Sequence, residues 1–181
     1  MSKVKRLIDS YARHIAIPWR DDAAPEQRVI FCVYAEYDEL RLRARLDEFE
    51  IVTRRADHDW ACFDLTDSFP DWLARQRYAK SYFRDPSKLG TLLGKYEADI
   101  ADRFREFCKE RSVGSEDVVA LAGVGSLFGF LKVKTVVDHL APIVPGRLVV
   151  FFPGSYDDNN YRLLDAYDGW GYLAVPITAD S

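Results

Sequence analysis

Residues 116–140 read EDVVALAGVGSLFGFLKVKTVVDHL, an apolar run followed by a glycine cluster and a more polar segment. The run EDVVALAG (116–123) has the continuous hydrophobicity of a strand that is covered on both faces. The segment SLFGFLKVKTVVDHL (126–140) indicates a helix fed by that strand. A strand that feeds a helix is the unit from which parallel sheets are built.

The same arrangement recurs along the chain. RVIFCVY (28–34) precedes the helical pattern DELRLRARLDEF, which Asp38 is placed to cap, and WACFDL (60–65) precedes DSFPDWLARQRY. RLVVFFPG (147–154) and WGYLAVPI (170–177) complete five apolar runs. The sequence therefore predicts an α/β fold: a three-layer domain with a mainly parallel sheet of about five strands flanked by helices.

Two helices are predicted from periodicity alone. KVKRLIDSYARHI, near the N-terminus, repeats apolar residues at spacings of three or four, and Pro18 is placed to end it. The longest helix is predicted over about 88–111, where apolar residues recur with charges between them. We expect one domain over residues 1–181, with an amphipathic helix within 1–20 and an α/β core over 28–177. The apolar face of the first helix is Val4, Leu7, Ile8, Tyr11 and Ile15.

Charge is distributed unevenly. The net charge is −4, which argues against general nucleic-acid coating. Residues 1–20 carry five basic residues against one acid, whereas residues 154–181 carry one arginine against five acids. The two ends are suited to different partners or to solvation. Direct DNA binding through the N-terminal helix is a minor alternative, and we expect it to be unlikely.

The cysteines and the hydropathy pattern indicate where in the cell the protein is found. The chain has 3 cysteines, widely spaced and without a CxxC pair, which is typical of a reducing environment. No apolar run approaches the roughly 18 residues needed to cross a bilayer. We therefore expect a cytoplasmic protein without a membrane segment.

The glycine cluster raises the question of nucleotide binding. AEYDELR follows the first strand where a phosphate loop would stand, but it has no glycine and its acids would repel phosphate. AGVGSLFGF has the form GxGxxxG, and Asp157 is too distant to be the ribose contact of a dinucleotide fold. Two interpretations stay open: a tight turn with close helix–sheet packing, or an anion or nucleotide site at Gly123, Gly125 and Ser126.

No recognised catalytic or metal motif is present. Asp64 ends a strand like a Walker B acid, but without a phosphate loop it is better explained as a cap for the next segment. The three histidines are dispersed, and DHD at 57–59 is typical of a solvated loop. We expect no enzymatic activity, no cofactor and no metal site. The alternative is a nucleotide-binding or hydrolysing protein that uses the Gly123–Gly129 loop.

Three stretches carry a resemblance to a known family. GVGSLFGFL (123–131), FFPGSYDDNNYRLLDAYDGWGYLAVPI (151–177) and VYAEYDELRLRARL (33–46) resemble the BrxB family of bacterial BREX bacteriophage-exclusion systems. The resemblance implies a small, non-catalytic component of a multi-protein defence assembly. It implies a PglZ-type partner of the alkaline-phosphatase superfamily, with the BREX ATPase and DNA methyltransferase in a larger complex. It supplies no catalytic residues.

The segment between the last two predicted strands is the candidate interface. DDNN, at 157–160, is interpreted either as a cap leading into a helix at YRLLDA or as a binding loop. Its spacing is not that of a calcium loop, and clustered acids at 157, 158, 165 and 168 would repel phosphate. Tyrosine, tryptophan and arginine are common at binding hot spots. The partner-binding candidates are Tyr156, Asp157, Asp158, Tyr161, Arg162 and Trp170.

Overall fold

A six-stranded sheet forms the centre of the fold in the computed structural model, which describes residues 1–166 and 169–181. The strands are β1 Val29–Tyr34, β2 Trp60–Asp64, β3 Val118–Ala122, β4 Arg147–Asp157, β5 Asn160–Leu163 and β6 Val175–Ile177. Their order is β2-β3-β4-β1-β6, all parallel, while β5 pairs antiparallel with β4. The predicted α/β fold with a mainly parallel sheet is confirmed.

Seven α-helices within the described ranges flank this sheet. They are α1 Lys3–Ile15, α2 Glu39–Arg43, α3 Leu46–Arg55, α4 Ser68–Ala74, α5 Ala79–Arg84, α6 Leu93–Glu110 and α7 Val133–Leu140. Helices α1 and α3 contribute to the core on one face of the sheet. Helices α4, α6 and α7 contribute to the core on the other face. The sheet is therefore the middle of three layers.

The central strands are buried on both faces, which explains their continuous hydrophobicity. All six residues of β1 and all five of β3 are buried. Successive residues of a strand point to opposite faces, so Phe31 packs in one core and Cys32 in the other. The residues of both strands are accordingly aliphatic or aromatic, apart from Cys32.

Helix α1 covers the sheet through the face predicted from its sequence. Val4, Leu7, Ile8, Tyr11 and Ile15 are all buried. The helix begins at Lys3 because the Ser2 side chain accepts a hydrogen bond from the Lys5 backbone. Tyr11 is joined to Thr53 of α3 by a buried hydrogen bond of 2.7 Å between the two hydroxyls.

Two predicted helices have different bounds in the structure. The long helix begins at Leu93 instead of about 88, because residues Pro86–Leu89 form a separate 3-10 turn. The predicted helix over 126–140 is wrong in its first half: Val124–Leu127 is a 3-10 turn, and α7 begins only at Val133. Gly129 has φ +82°, a left-handed conformation that interrupts an α-helix.

The last strand is shorter than predicted. Only Val175–Ile177 of the apolar run 170–177 forms β6, which pairs with β1. Trp170 instead exchanges two backbone hydrogen bonds with Tyr161, of 2.9 and 3.1 Å. The chain therefore joins the β5 strand first and reaches β1 only afterwards.

Over the described residues, none of the helices combines the length and the apolar character needed to cross a membrane.

Candidate functional site

A crevice lies at the carboxyl ends of the parallel strands. The chain leaves β1 through α2 and α3 on one face, and it leaves β3 through α7 on the other. Such a switch of faces opens a crevice where α/β proteins commonly bind ligands. The crevice measures about 300 Å³. Its walls are Glu36, Glu39, Arg43, Thr66, Gly123, Gly125, Ser126, Pro153 and Leu164.

Arg43 of α2 is the cation at the centre of this crevice. Its Nε donates to Glu39 Oε1 at 2.9 Å, and its two Nη atoms donate to the two carboxylate oxygens of Asp64 at 3.0 and 3.2 Å. It also donates to the hydroxyl of Thr66. Tyr34 donates its hydroxyl proton to the second oxygen of Glu39. All three nitrogens of the guanidinium group therefore have partners within the protein.

These contacts keep Tyr34 protonated and Asp64 charged. Burial raises the pKa of Tyr34, and the bond to Glu39 raises it further, so this hydroxyl keeps its proton. Burial acts to raise the pKa of Asp64, but the hydrogen bonds from Arg43 and Thr66 outweigh it and lower the pKa to about 2. Bidentate arginine–carboxylate pairing of this kind also fixes geometry. The cluster joins the end of β2 to α2.

The Arg43–Asp64 pair should make stability depend on pH in the acid range. The pKa of Asp64 falls from its ordinary value of 3.8 to about 2 on folding, so the folded state binds fewer protons between these values. Its contribution is present above about pH 4 and is lost as pH falls through 2. Because Asp64 is half exposed, we expect about 1 kcal/mol after solvent screening. Urea unfolding between pH 5 and 2 measures it.

The matched variant for that measurement is Asp64→Asn, which removes the titrating group and keeps its shape. Its free energy of unfolding should be lower than that of the wild type at pH 5 and should converge toward it near pH 2. Parallel curves for the two proteins would contradict the assigned role of this pair.

The glycine turn packs against the end of β2. Gly123 has φ +73°, and a Cβ at this position would lie 2.6 Å from both Asp64 Oδ1 and the Thr66 backbone nitrogen. The Ser126 hydroxyl lies 2.9 Å from the Leu65 carbonyl and 2.7 Å from that of Gly123, and it donates to these oxygens. The interpretation as a tight turn with close packing is confirmed for Gly123.

Gly125, the other glycine of the candidate anion site, is packed less tightly than Gly123. A Cβ on Gly125 would lie 3.4 Å from Pro153 Cγ, an ordinary contact, and the residue lines the crevice. Since α7 begins at Val133, the glycine turn is not the N-terminus of an α-helix. The N-terminus of α7, whose dipole would attract an anion, therefore comes after Gly123, Gly125 and Ser126 in the chain and is not formed by them.

Residues 155–163 of the predicted loop belong to a β-hairpin, so the expectation of a strand ending at 154 and the interpretation as a helix cap are both wrong. β4 continues to Asp157, and β5 returns from Asn160. Asp158 and Asn159 form the two-residue turn with φ +47° and +62°. Aspartate and asparagine tolerate this left-handed conformation, which two-residue hairpin turns require.

The hairpin separates the partner-binding candidates into two groups. Tyr161 is fully buried, and its hydroxyl donates to the Ala174 carbonyl at 3.0 Å. Trp170 is partly buried and packs edge-on against Phe152 at 5.6 Å. The proposed role of Tyr161 as a surface contact is therefore corrected, because its side chain belongs to the core. Both residues brace the hairpin.

The second group lies on the surface of the hairpin, with Asp157 and Asp158 at its tip. Asp157, Asp158 and Arg162 are exposed, and Tyr156 is half-buried, with its hydroxyl donating to Asn159 Oδ1 at 3.0 Å. Asp165, another of the expected acids, is exposed. Asp168 lies outside the described residues.

Histidine and cysteine side chains outside the crevice make local contacts of their own. His58 stacks on Trp19 with ring centroids 3.7 Å apart, and its Nδ1 lies 2.8 Å from the Glu116 carbonyl oxygen. In residues 1–166 and 169–181, no group of three or more His, Cys, Asp and Glu side chains is arranged to hold a metal ion. Burial raises the pKa of Cys62 and of Cys108 to about 11, so both thiols are protonated at neutral pH.

Sequence reasoning missed the Arg43 cluster. The sequence predicts that Asp64 is a cap, and Asp64 does accept the Thr66 backbone N–H at 2.9 Å. Its second role, as the partner of Arg43, joins residues 21 positions apart. The available signal was the spacing of Glu39 and Arg43, four apart on a predicted helix that follows a strand.

Comparisons with known proteins identify the family. A search of curated proteins and a search of solved structures each found no match. The family model described as "BREX protein BrxB" matches residues 72–175, which is more than half of the chain. The matched range includes α6, β3, the glycine turn and the β4–β5 hairpin. The chain therefore belongs to the BrxB family and is a component of a BREX system.

Proposed function

We propose that this chain is a non-catalytic binding subunit of the BREX defence assembly and that it docks a PglZ-type partner through the tip of the β4–β5 hairpin. The observation that carries the proposal is the extension of β4 beyond the parallel sheet. β4 pairs with β1 only as far as Pro153, and from Gly154 to Asp157 its pairs are with β5. The tip therefore stands beyond the edge of the sheet, with exposed acids.

The hairpin is a rigid platform because its base is part of the core. Tyr161 lies edge-on to Phe31, with centroids 4.6 Å apart, and Leu163 is buried. The backbone of Leu164 donates to Pro153 at 2.8 Å and closes the root of the hairpin. Since a preorganised surface loses little conformational entropy on binding, two exposed acids on such a support suit recognition of a basic partner surface.

The charges of the crevice disfavour nucleotide binding. Its one arginine is engaged by Glu39 and Asp64, and Glu36 adds a third acid. A phosphate group would have to displace these partners and would meet net negative charge. The alternative, a nucleotide-binding or hydrolysing protein that uses the Gly123–Gly129 loop, therefore has less support.

Charge changes at the tip should separate binding from folding. In the double variant Asp157→Lys with Asp158→Asn, asparagine keeps the positive φ of position 158 accessible. We expect a melting temperature within about 3 °C of the wild type, because both residues are exposed. We also expect co-purification with the PglZ-type protein and protection against phage to fall together. The measurements are thermal melting, pull-down and plating efficiency.

A matched control is Glu106→Lys with Glu110→Gln, which makes the same change of charge on the exposed side of α6. This control should keep partner binding and protection. Wild-type binding by the hairpin variant would place the interface elsewhere. A thermal shift with ATP, GTP or NAD that disappears in a folded Gly125→Asp variant would favour the nucleotide alternative instead.

A further inference from the structure

A basic and aromatic segment precedes the longest helix. Residues 75–88 read RQRYAKSYFRDPSK, with five basic residues against one acid, in a chain whose net charge is −4. Three aromatic residues are interspersed among the cations. This stretch is therefore a local concentration of positive charge on a protein that is acidic as a whole.

The structure exposes most of this segment. None of the residues of α5 is buried. Lys80 and Arg84 lie one helical turn apart on its outer side, and Phe83, between them in sequence, is 59% exposed. Just before the helix, Tyr78 is 58% exposed, and the Arg77 guanidinium lies over its ring at 5.4 Å from the centroid. We call these five residues the α5 patch.

The described ion pairs of this segment do not involve the cations of the α5 patch. The segment's ion pairs go to its two ends: Arg75 to Asp99 at 2.9 Å, and Lys88 to Asp85 at 3.6 Å. Asp85 also accepts hydrogen bonds from the backbone and hydroxyl of Ser87. In the part of the chain that the structure describes, the three cations of the α5 patch form no salt bridge.

The combination of residues indicates the class of ligand. Exposed cations attract phosphate groups, and exposed aromatic faces stack on unpaired bases. A six-residue helix with one outward phenylalanine is too short and too polar to act as a membrane-surface helix. An acidic protein would satisfy the cations but would make no particular use of two exposed rings with cations beside them.

We propose that the α5 patch binds single-stranded nucleic acid, with Arg77, Lys80 and Arg84 contacting phosphates and Tyr78 and Phe83 stacking on bases. The inference is independent of the role proposed for the hairpin, since the two surfaces share no residue. It also differs from DNA binding through the N-terminal helix, because Lys5 and Arg6 there are paired with Asp9 and Asp180.

The test is fluorescence anisotropy of the full chain with labelled dT20, U20 and a 20-base-pair duplex between 25 and 200 mM salt. We expect saturable binding of the single strands at micromolar protein and low salt, and weaker binding of the duplex. Neutralising the cations with Arg77→Gln, Lys80→Gln and Arg84→Gln should reduce the slope of log K against log salt by about 2. The control neutralises three exposed basic residues elsewhere, Arg55→Gln, Lys95→Gln and Lys109→Gln.

Removing the rings tests stacking separately from charge. Tyr78→Ala with Phe83→Ala should weaken single-strand binding by roughly tenfold or more with an unchanged salt slope. Because all five side chains are exposed, every variant should melt within a few degrees of the wild type. A comparison of dT20 with U20 separates DNA from RNA as the source of the ligand.

Several outcomes would overturn the proposal. These are no saturable binding at 25 mM salt, equal losses in the patch and control variants, or binding that does not depend on the rings. Capture of an acidic protein through the patch without nucleic-acid binding would also overturn it. The Asp157→Lys with Asp158→Asn variant should keep nucleic-acid binding, so failure of the hairpin proposal and failure of this one are distinguishable.

Discussion

Replacing Gly154 with alanine should open the β4–β5 hairpin and abolish the partner binding that we propose for it. A Cβ at this position would overlap the backbone carbonyl oxygen of Arg162 and lie 3.0 Å from the backbone nitrogen of Leu164. Backbone atoms of a paired strand cannot move aside without breaking the pairing. We therefore expect a loss of about 2–4 kcal/mol in the free energy of unfolding. Urea denaturation measures the stability, and pull-down measures the binding.

The matched control is Gly94→Ala, in the first turns of α6. A Cβ at Gly94 meets nothing within 4 Å. Since alanine is favoured over glycine in helices, this variant should be slightly more stable, by about 0.5 kcal/mol. Equal stability of the two variants would contradict the strand pairing of the hairpin.

Replacing Leu7 with aspartate should have the largest effect on folding. Leu7 is 1% exposed and lies in the core that α1 shares with Phe49 and Phe151. The substitution removes a packed side chain and puts a carboxylate into apolar surroundings. We expect a loss of more than about 4 kcal/mol, which is most of the stability of a typical domain. Circular dichroism during urea denaturation measures it.

The control reverses a charge at an exposed position of the same helix. Lys3 is exposed, and its ammonium group donates to the Tyr37 hydroxyl at 3.2 Å. Lys3→Glu should leave the unfolding midpoint nearly unchanged. If Lys3→Glu unfolded the protein while Leu7→Asp was tolerated, the assignment of Leu7 to the core and of Lys3 to the surface would be wrong.

The elements that were predicted correctly are those with a strong local pattern. β1 and β3 are apolar at every position because both faces of the sheet are covered, so they are visible without any knowledge of their partners. The buried face of α1 follows from a repeat of three and four residues. The predicted tight turn at Gly123 is also confirmed, since close packing of a turn favours glycine.

The hairpin was missed because its sequence is ambiguous over a short range. Asp158 and Asn159 favour helix caps as well as two-residue turns, and YRLL suits a short helix or a strand. The decision comes from pairing: Tyr161 enters the core opposite Tyr156 and bonds to Trp170. That pairing is a tertiary contact, which local propensity does not contain.

The sequence by itself determined the class of the fold, the strands at its centre and the buried face of its first helix, because continuous and periodic hydrophobicity report burial directly. Only the tertiary structure decided which polar residues meet. Arg43 and Asp64 are joined at the sheet edge, while Lys80 and Arg84 are left on an uncovered helix. All four are charged residues in polar segments of the sequence. Whether such a residue forms an ion pair depends on which charges folding brings within a few ångströms of it.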